Sequence, residues 1–260
     1  MGRKGPKKHQ KRVASPSTFK INRKANKFTF HGSAGAHPLK DGFPLGILLR
    51  DELGLAQNLK ELKFILNHNQ VHVDGIPRRD VRFMVGPQDI VSIPEADKFF
   101  RVVHWQGRRR LAVLETKKED ADWKLLGVVD KTTVKKGKIQ LNCTGGRNIL
   151  LKPDDAKNYS TRGTIKYSFK EKKIIDFYPF EEGASVLVVS GVNTGIHGEL
   201  VAYEKRLGKN RSIATIKTPD DNMVITAMEN VFVIGGKEPE LKEYEMMTQK
   251  DPSEASNEEM

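Results

Sequence analysis

The sequence predicts a multi-domain α+β protein in five consecutive parts. These are an extended basic N-terminal arm (1–40), a small module of two helices and a hairpin (41–96), a central β domain (97–180), a small C-terminal β-barrel (181–236) and an acidic tail (237–260). Three observations predict it. Leucines recur at helical spacing between Leu45 and Leu66 and then give way to alternation. Short strand-like runs punctuated by turn residues fill most of the chain from Phe99 to Ile234. The first forty residues hold eleven lysines and arginines and not one aspartate or glutamate.

Val13, Phe19, Ile21, Phe28, Phe30 and Leu39 are the arm's main apolar side chains, too few to offset the entropy of ordering so long a segment. It is therefore expected to become ordered on a partner, with at most a short strand around Phe28 to Phe30. In the next part Pro44 suits the first turn of a helix. Leu45, Leu48, Leu49 and Leu53 continue that helix and Gly54 closes it. Leu55, Leu59, Leu62 and Leu66 suggest a second helix ending near Asn67 to Asn69. Val71-His72-Val73 then alternates into Asp74-Gly75, a strong hairpin signal because both turn positions require positive φ. Asp89 to Ile93 is a further strand.

The central part offers strands at Phe99–Val103, Arg110–Leu114, Leu125–Val129, Lys138–Leu141, Thr164–Phe169 and Lys173–Phe177, with one helix expected around Thr116 to Trp123. Val186–Val189, Gly198–Tyr203, Ser212–Lys217, Met223–Thr226 and Val231–Ile234 give five strands in about fifty residues, a number that suits a small closed barrel. The last 24 residues carry eight acidic and three basic side chains, the composition of a solvated or partly helical tail.

Composition narrows the function. The chain has 45 basic and 33 acidic residues, a net charge of +12. Beyond residue 40 the balance is 34 to 33, so nearly the whole excess lies in the arm. A segment so one-sided repels itself and needs a polyanion to be compact, most simply RNA or DNA. No apolar run approaches a membrane span, which points to a soluble protein, and no secretory signal is expected. A single cysteine, Cys143, excludes disulfide frameworks and zinc ribbons and reads as a small core residue. No phosphate-binding loop, HExxH pair, nucleophile elbow or acid-rich metal cluster is present. Neither a catalytic site nor a cofactor, a bound metal or a small-molecule substrate is expected.

The candidate binding residues fall into three groups. Arg3, Lys4, Lys7, Lys8, His9, Lys11 and Arg12 make the strongest signal, since each cation on a phosphate releases a counterion. A nuclear-localisation address has the same composition, and both readings hold together. Arg50, Lys63, Arg78, Arg79 and Arg82 fit one face of the helix–hairpin module. Arginine suits bidentate phosphate contacts, but an ordinary solvated face is an equal alternative. Asn193 and Gly195 lie in Ser190-Gly191-Val192-Asn193-Thr194-Gly195-Ile196-His197-Gly198, a turn able to offer bare amides to a phosphate, or simply a tight barrel turn.

With these residues in hand, the chain resembles the eukaryotic and archaeal-type small-subunit ribosomal protein four family, the "e"-type rather than the bacterial one. Gly5-Pro6-Lys7-Lys8-His9 with Lys11-Arg12-Val13-Ala14 and Pro16 matches the family's opening. Pro44-Leu45, Leu49-Arg50, Val73-Asp74-Gly75, Arg78 and Asp80 match its RNA-binding module. Asp89 to Ile93, Phe100-Arg101, Ile175-Asp176-Phe177, the Gly191, Asn193, Gly195 and Gly198 loop, and Asn230 to Gly235 follow in order.

The resemblance implies an RNA-binding helix–hairpin module, a central β domain and a C-terminal barrel of the KOW type. It implies a structural constituent of the small ribosomal subunit that binds and stabilises its rRNA beside neighbouring ribosomal proteins and so supports translation. Such a protein is cytoplasmic, with passage through the nucleus if the source is eukaryotic. The resemblance carries RNA contact onto the arm residues, Arg50, Arg78 and the Gly195 turn. Two departures stand out: Ile196 replaces the family's arginine after the loop glycine, and the tail is acidic where the family often ends basic.

Two rivals remain. The same helix–hairpin module precedes pseudouridine synthase domains, but Gly107-Arg108-Arg109-Arg110-Leu111 lacks the aspartate that chemistry needs. A transcription or translation factor using the barrel to dock proteins would be found largely off ribosomes.

Overall fold

The structure, a computed structural model, describes residues 9–106, 110–206 and 211–241. The chain divides into two compact units, one formed by residues up to 103 with 115–121, the other by 104–114 and 122 onward. Helices are few and antiparallel sheets dominate both units.

In the first unit, β1 (Gln10–Lys11) pairs with β2 (Phe28–Thr29), setting Lys11 opposite Phe28. The loop between them is folded, which corrects the expectation of an extended arm for residues 9 to 40. Its order comes from guanidinium groups more than from apolar burial. Arg12 is 6% exposed and donates from Nε to the Phe28 carbonyl at 3.2 Å and from Nη1 to that of Asn22 at 2.7 Å. Arg23 donates to the carbonyls of Val13, Ser15 and Pro16 at 3.0–3.1 Å. Phe19, buried at 3% exposure, supplies the one large apolar anchor of the loop. Lys20 to Glu52 at 2.5 Å and Ser33 to the Arg82 carbonyl at 2.9 Å tie the segment to the rest of the unit.

The module beyond begins with β3 (Phe43–Pro44), which pairs with β6 (Met84–Val85). The expected first helix is present but wound wider than an α-helix after one turn. Helix α1 (Leu45–Ile47) runs into a π-helical turn over Leu48–Glu52, closed by the Leu53 amide on the Leu48 carbonyl at 2.9 Å. Leu45, Ile47, Leu48 and Leu49 are all at most 1% exposed, and burial of each is worth about 1.5–3 kcal/mol. Helix α2 (Leu59–Asn67) starts later than the leucine spacing suggests. Leu55 lies before its N-cap, Asn58, and both Leu55 and Leu59 are exposed, whereas Leu62 and Leu66 are fully buried. The start is set by Glu61, whose carboxylate accepts the Gln57 amide at 2.7 Å and the Asn58 amide at 3.4 Å.

Asp74 and Gly75, at φ 52° and 74°, turn β4 (His72–Val73) into β5 (Ile76–Pro77) as the sequence requires. With β7 (Ile90–Ile93) and β8 (Lys98–His104), these strands run in the order β5-β4-β7-β8. The helix expected at Thr116 to Trp123 is absent. A single 3-10 turn at Asp120–Asp122 stands there, and the Asp120 carbonyl accepts Nη2 of the buried Arg101 at 2.5 Å. A buried guanidinium thus holds that segment where a helix would hold its own carbonyls.

The second unit contains β9 (Leu111–Glu115) and a sheet organised by one long strand, β10 (Trp123–Thr133). The first half of β10 pairs with β13 (Thr164–Ser168), and its second half, past a bulge between Val128 and Asp130, pairs with β11 (Ile139–Cys143). Outer strands β12 (Asn148–Leu151) and β14 (Ile174–Tyr178) flank them, with the short helix α3 (Pro153–Ala156) after β12. Neither β12 nor α3 is signalled by the sequence. Leu126, Val128, Leu141, Cys143 and Ile165 form the core here, and burial pushes the Cys143 thiol up to about 11, the state of an inert packing group.

The second five-stranded sheet comprises β15 (Ser185–Val188), β16 (His197–Glu204), β17 (Ile213–Lys217), β18 (Met223–Ala227) and β19 (Val231–Gly235). All pairs are antiparallel, in the order β18-β17-β16-β15-β19. Val186, Val188, Leu200, Ala214, Ile216 and Val233 form a core against it. After β19 the chain folds back. Glu240 accepts Lys166 Nζ at 2.6 Å and the Tyr178 hydroxyl, and Leu241 is 2% exposed. Burial alone raises the Glu240 carboxyl, but the hydrogen bonds from Lys166 and Tyr178 outweigh it and hold the group below its ordinary range. Apart from these first residues, the acidic tail lies outside the described residues.

Two outcomes follow. A Cβ on Gly195, at φ +91°, meets the Gln106 amide nitrogen at 2.3 Å and the Trp105 carbonyl carbon at 2.4 Å, whereas at Gly191, φ +98°, only Asn230 lies near, at 3.4 Å. Gly195→Ala is expected to cost more than about 2 kcal/mol in urea unfolding and Gly191→Ala about 1 kcal/mol. Equal losses would show that backbone strain alone acts at Gly195.

Second, a carboxyl held low stabilises the fold above its unfolded value near 4.5, and that stability is lost as pH falls through the lower folded value. Glu240→Gln is expected to lower the melting temperature near neutral pH, the gap to the parent protein closing below about pH 4. A gap that persists in acid would show that the carboxylate charge is not what anchors the segment.

Candidate nucleic-acid interface

Two exposed basic surfaces lie in the first unit. The β1–β2 ribbon carries the first. Phe28 is 48% exposed, the His9 ring stands 5.7 Å from it, and Lys27 Nζ lies 5.5 Å from its centroid. Lys11 is exposed in register with Phe28. An exposed ring beside a lysine offers both a stacking surface and phosphate contacts. Arg12, grouped with these residues by the sequence, is instead inside the loop and occupied with backbone carbonyls. Arg3, Lys4, Lys7 and Lys8 lie outside the described residues.

The second surface is formed by α2 and the hairpin. Lys63, Arg79 and Arg82 are exposed there, and Arg79 Nε donates to Asn69 Oδ1 at 2.9 Å. Asn69 itself sits at φ 58° just past the helix, so the helix end positions the arginine. Arg78 and Arg50 are half-buried. The Arg78 guanidinium lies 4.3 Å from the Phe83 centroid, with its Nε buried. Arg50 spends its fork on Asp51, at 2.8 and 3.3 Å, and covers the Phe30 ring at 4.7 Å. Its charge is neutralised and its planar face is occupied, so Arg50 fastens the N-terminal segment to the π-turn. Of the five module residues, Lys63, Arg79 and Arg82 are exposed to a partner, Arg79 held in place through its Nε, whereas Arg50 and Arg78 are half-buried against rings.

In the second unit the glycine loop is turned inward. The Gly195 amide donates to the Val188 carbonyl at 2.8 Å, and the Ile196 amide donates to the carbonyl of Asn193 at 3.2 Å. Thr194 Oγ1 donates to the Gly191 carbonyl at 2.8 Å. Gly195 is buried, so its backbone offers no bare amide, contrary to the reading of that turn as a phosphate cradle. Its glycine is required by the close approach of the Trp105–Gln106 backbone. Asn193 is half-buried, and the exposed tip is Gly191 with Val192.

The sequence reading missed the aromatic members of these surfaces. Phe28 and Phe64 stand off the buried apolar positions, at 48% and 61% exposure. For Phe64 the signal was available: it falls outside the stripe of Leu62 and Leu66. No group of three or more histidine, cysteine or acidic side chains fit to hold a metal occurs among the described residues. No helix of the described residues is long and apolar enough to cross a membrane.

Known proteins resemble this chain over most of its length. A family model described as "Ribosomal family S4e" matches residues 96–174, and one described as "RS4NT (NUC023) domain" matches residues 4–40. A protein of Staphylothermus marinus named small ribosomal subunit protein eS4 is 37% identical over 247 residues, covering 93% of this chain and 98% of its own. A protein of the same name from Methanosphaera stadtmanae is 38% identical over 239 residues, covering 92% and 97%. The crystal structure of the 30S ribosomal protein S4e from Thermoplasma acidophilum superposes with a TM-score of 0.62 at 26% identity, over 75% of this chain and 96% of that one. Matches of this length, collinear with the arm, module and sheets described above, settle the relationship: the chain belongs to the ribosomal protein family S4e, the eS4 proteins.

Proposed function

We infer that this protein is a structural constituent of the small ribosomal subunit that binds and stabilises the subunit's rRNA. The observation that carries the reading is the family match at 37–38% identity over more than nine-tenths of both chains. The basic surfaces supply the physics. The β1–β2 ribbon and the α2–hairpin face present cations to phosphate, and each neutralised phosphate releases a counterion. The body of the first unit carries both sets of cations, so RNA segments that meet them are held by one folded support.

Several finer assignments complete the reading. Residues 41–96 act as an RNA-binding helix–hairpin module, 97–180 as a central β domain and 181–236 as a KOW-type barrel. Lys63, Arg79 and Arg82 contact RNA with His9 and Lys11, and Arg3, Lys4, Lys7 and Lys8 extend that contact. Neighbouring ribosomal proteins and solvent, rather than RNA, meet the acidic tail. The role is one of binding without catalysis, in ribosomes of the cytoplasm.

Binding to small-subunit rRNA, followed against salt, tests the residue assignment. Replacing Lys63, Arg79 and Arg82 together by glutamine is expected to reduce the slope of log affinity on log salt by roughly two to three, at about 0.7–0.9 per lost phosphate contact. Arg50→Gln is expected to leave the slope near that of the parent while lowering the melting temperature, because its fork is spent on Asp51. An unchanged slope in the triple variant would remove the α2–hairpin face from the interface. Recovery of the protein largely off small subunits after a sucrose gradient would sink the ribosomal reading itself.

A further inference from the structure

Helix α2 has two faces of opposite character. Leu62 and Leu66 are fully buried. Lys60, Lys63, Phe64 and Asn67, spaced i, i+3, i+4 and i+7, share the other side and are all exposed. A phenylalanine in that company is out of place for a solvated stripe, and it is 61% exposed. Its ring is nevertheless held. The His68 ring packs on it with centroids 4.1 Å apart at 40°, and His68 Nδ1 lies 2.7 Å from the Phe64 carbonyl oxygen. A carbonyl only accepts, so Nδ1 carries a proton and donates, which fixes the imidazole orientation.

Charge surrounds this pair of rings. Neither Lys60 nor Lys63 joins an ion pair among the described residues. Arg79 is anchored through its Nε to Asn69, the residue next to His68, and that bond leaves both of its Nη groups uncommitted. An apolar protein partner would want several neighbouring hydrophobic side chains, whereas the stripe offers one aromatic pair among cations. A nucleobase with its phosphates fits that chemistry: a flat π-face to stack, negative charge within reach of the lysines, and no demand for a wider apolar patch.

We propose that Phe64 and His68 form a stacking platform for an unpaired RNA base, with Lys60, Lys63 and Arg79 holding the flanking phosphates. The proposal rests on the RNA-binding reading above and adds to it the recognition of a single-stranded segment. Stacking is tolerant of sequence, so the platform selects unpaired over paired RNA and does not select a particular base.

Fluorescence titration of the full chain with a 12-nucleotide single-stranded RNA containing 2-aminopurine, and with a duplex of the same length, tests it. The parent protein is expected to prefer the single strand and to quench the 2-aminopurine. Phe64→Ala is expected to weaken single-strand binding about tenfold, to abolish most of the quenching and to leave the salt slope and duplex affinity unchanged. Alanine is a better helix former than phenylalanine, so this variant keeps α2. Phe64→Trp is expected to restore binding, whereas Lys60→Gln and Lys63→Gln reduce the salt slope and retain quenching.

Parent-like affinity and quenching in Phe64→Ala, with the parent binding both RNAs, would overturn the platform and leave the RNA reading intact. A parent protein that binds neither these RNAs nor small-subunit rRNA would defeat the RNA reading first. In ultraviolet-irradiated small subunits the peptide holding Phe64 is expected to carry a nucleotide. Its crosslinking only to a protein neighbour would overturn the proposal.

Discussion

A chain with so many cations must divide them between its own backbone and its surroundings, and the first unit depends on how that division is made. Residues 9 to 40 lack the apolar side chains for a core, so their carbonyls would be left to water in any compact form. Arg12 and Arg23 meet five of those carbonyls. A guanidinium suits this task because its five donors lie in one rigid plane and its weak hydration lowers the cost of burial. Lysines, more strongly hydrated, remain at the surface on the same segment. The loop therefore takes Arg12 inside and binds its outer carbonyls with the exposed Arg23, while its lysines stay in solvent.

The same division explains what could and could not be read from the sequence. The strong turn Asp74-Gly75, the leucine-rich helices and the five closing strands were legible, because each rests on local spacing. The order of the N-terminal segment was not, since it depends on hydrogen bonds from Arg12 to residues ten and sixteen positions away. Nor was the missing helix after Thr116 visible. Arg101 donates across nineteen positions to Asp120, a contact without periodicity. The bend of β10 at Val128 likewise belongs to a choice of partners, β13 before it and β11 after, that no single strand encodes.

Site residues show a related limit. Counting cations ranked Arg12 with the strongest group and did not separate Arg50, Lys63, Arg78, Arg79 and Arg82 from one another. The fold separates them by what each guanidinium or ammonium already holds: Arg12 carbonyls, Arg50 a carboxylate and a ring, Arg78 a ring. Gly195 is the sharpest case. Its motif position suggested an amide offered outward, but its amide is bonded to Val188 and its missing side chain makes room for another backbone. A glycine can serve either purpose, and only the neighbouring chain distinguishes them.

The aromatic residues turn that limit into a criterion. Electrostatics brings a polyanion to any basic face, but it falls off with salt and does not by itself favour an unpaired base. A ring held beside cations adds a term that requires an unstacked base. Phe28 beside Lys27 and His9, and Phe64 on His68 next to Lys63 in the helix, both have that form, on two different elements of one unit. A protein that must settle on one fold of a large RNA gains from such contacts, because loops and bulges, unlike helices, differ between the right fold and the wrong ones. On the proposed reading, the excess charge of the N-terminal segment supplies attraction, and the exposed rings supply the preference for where it stops.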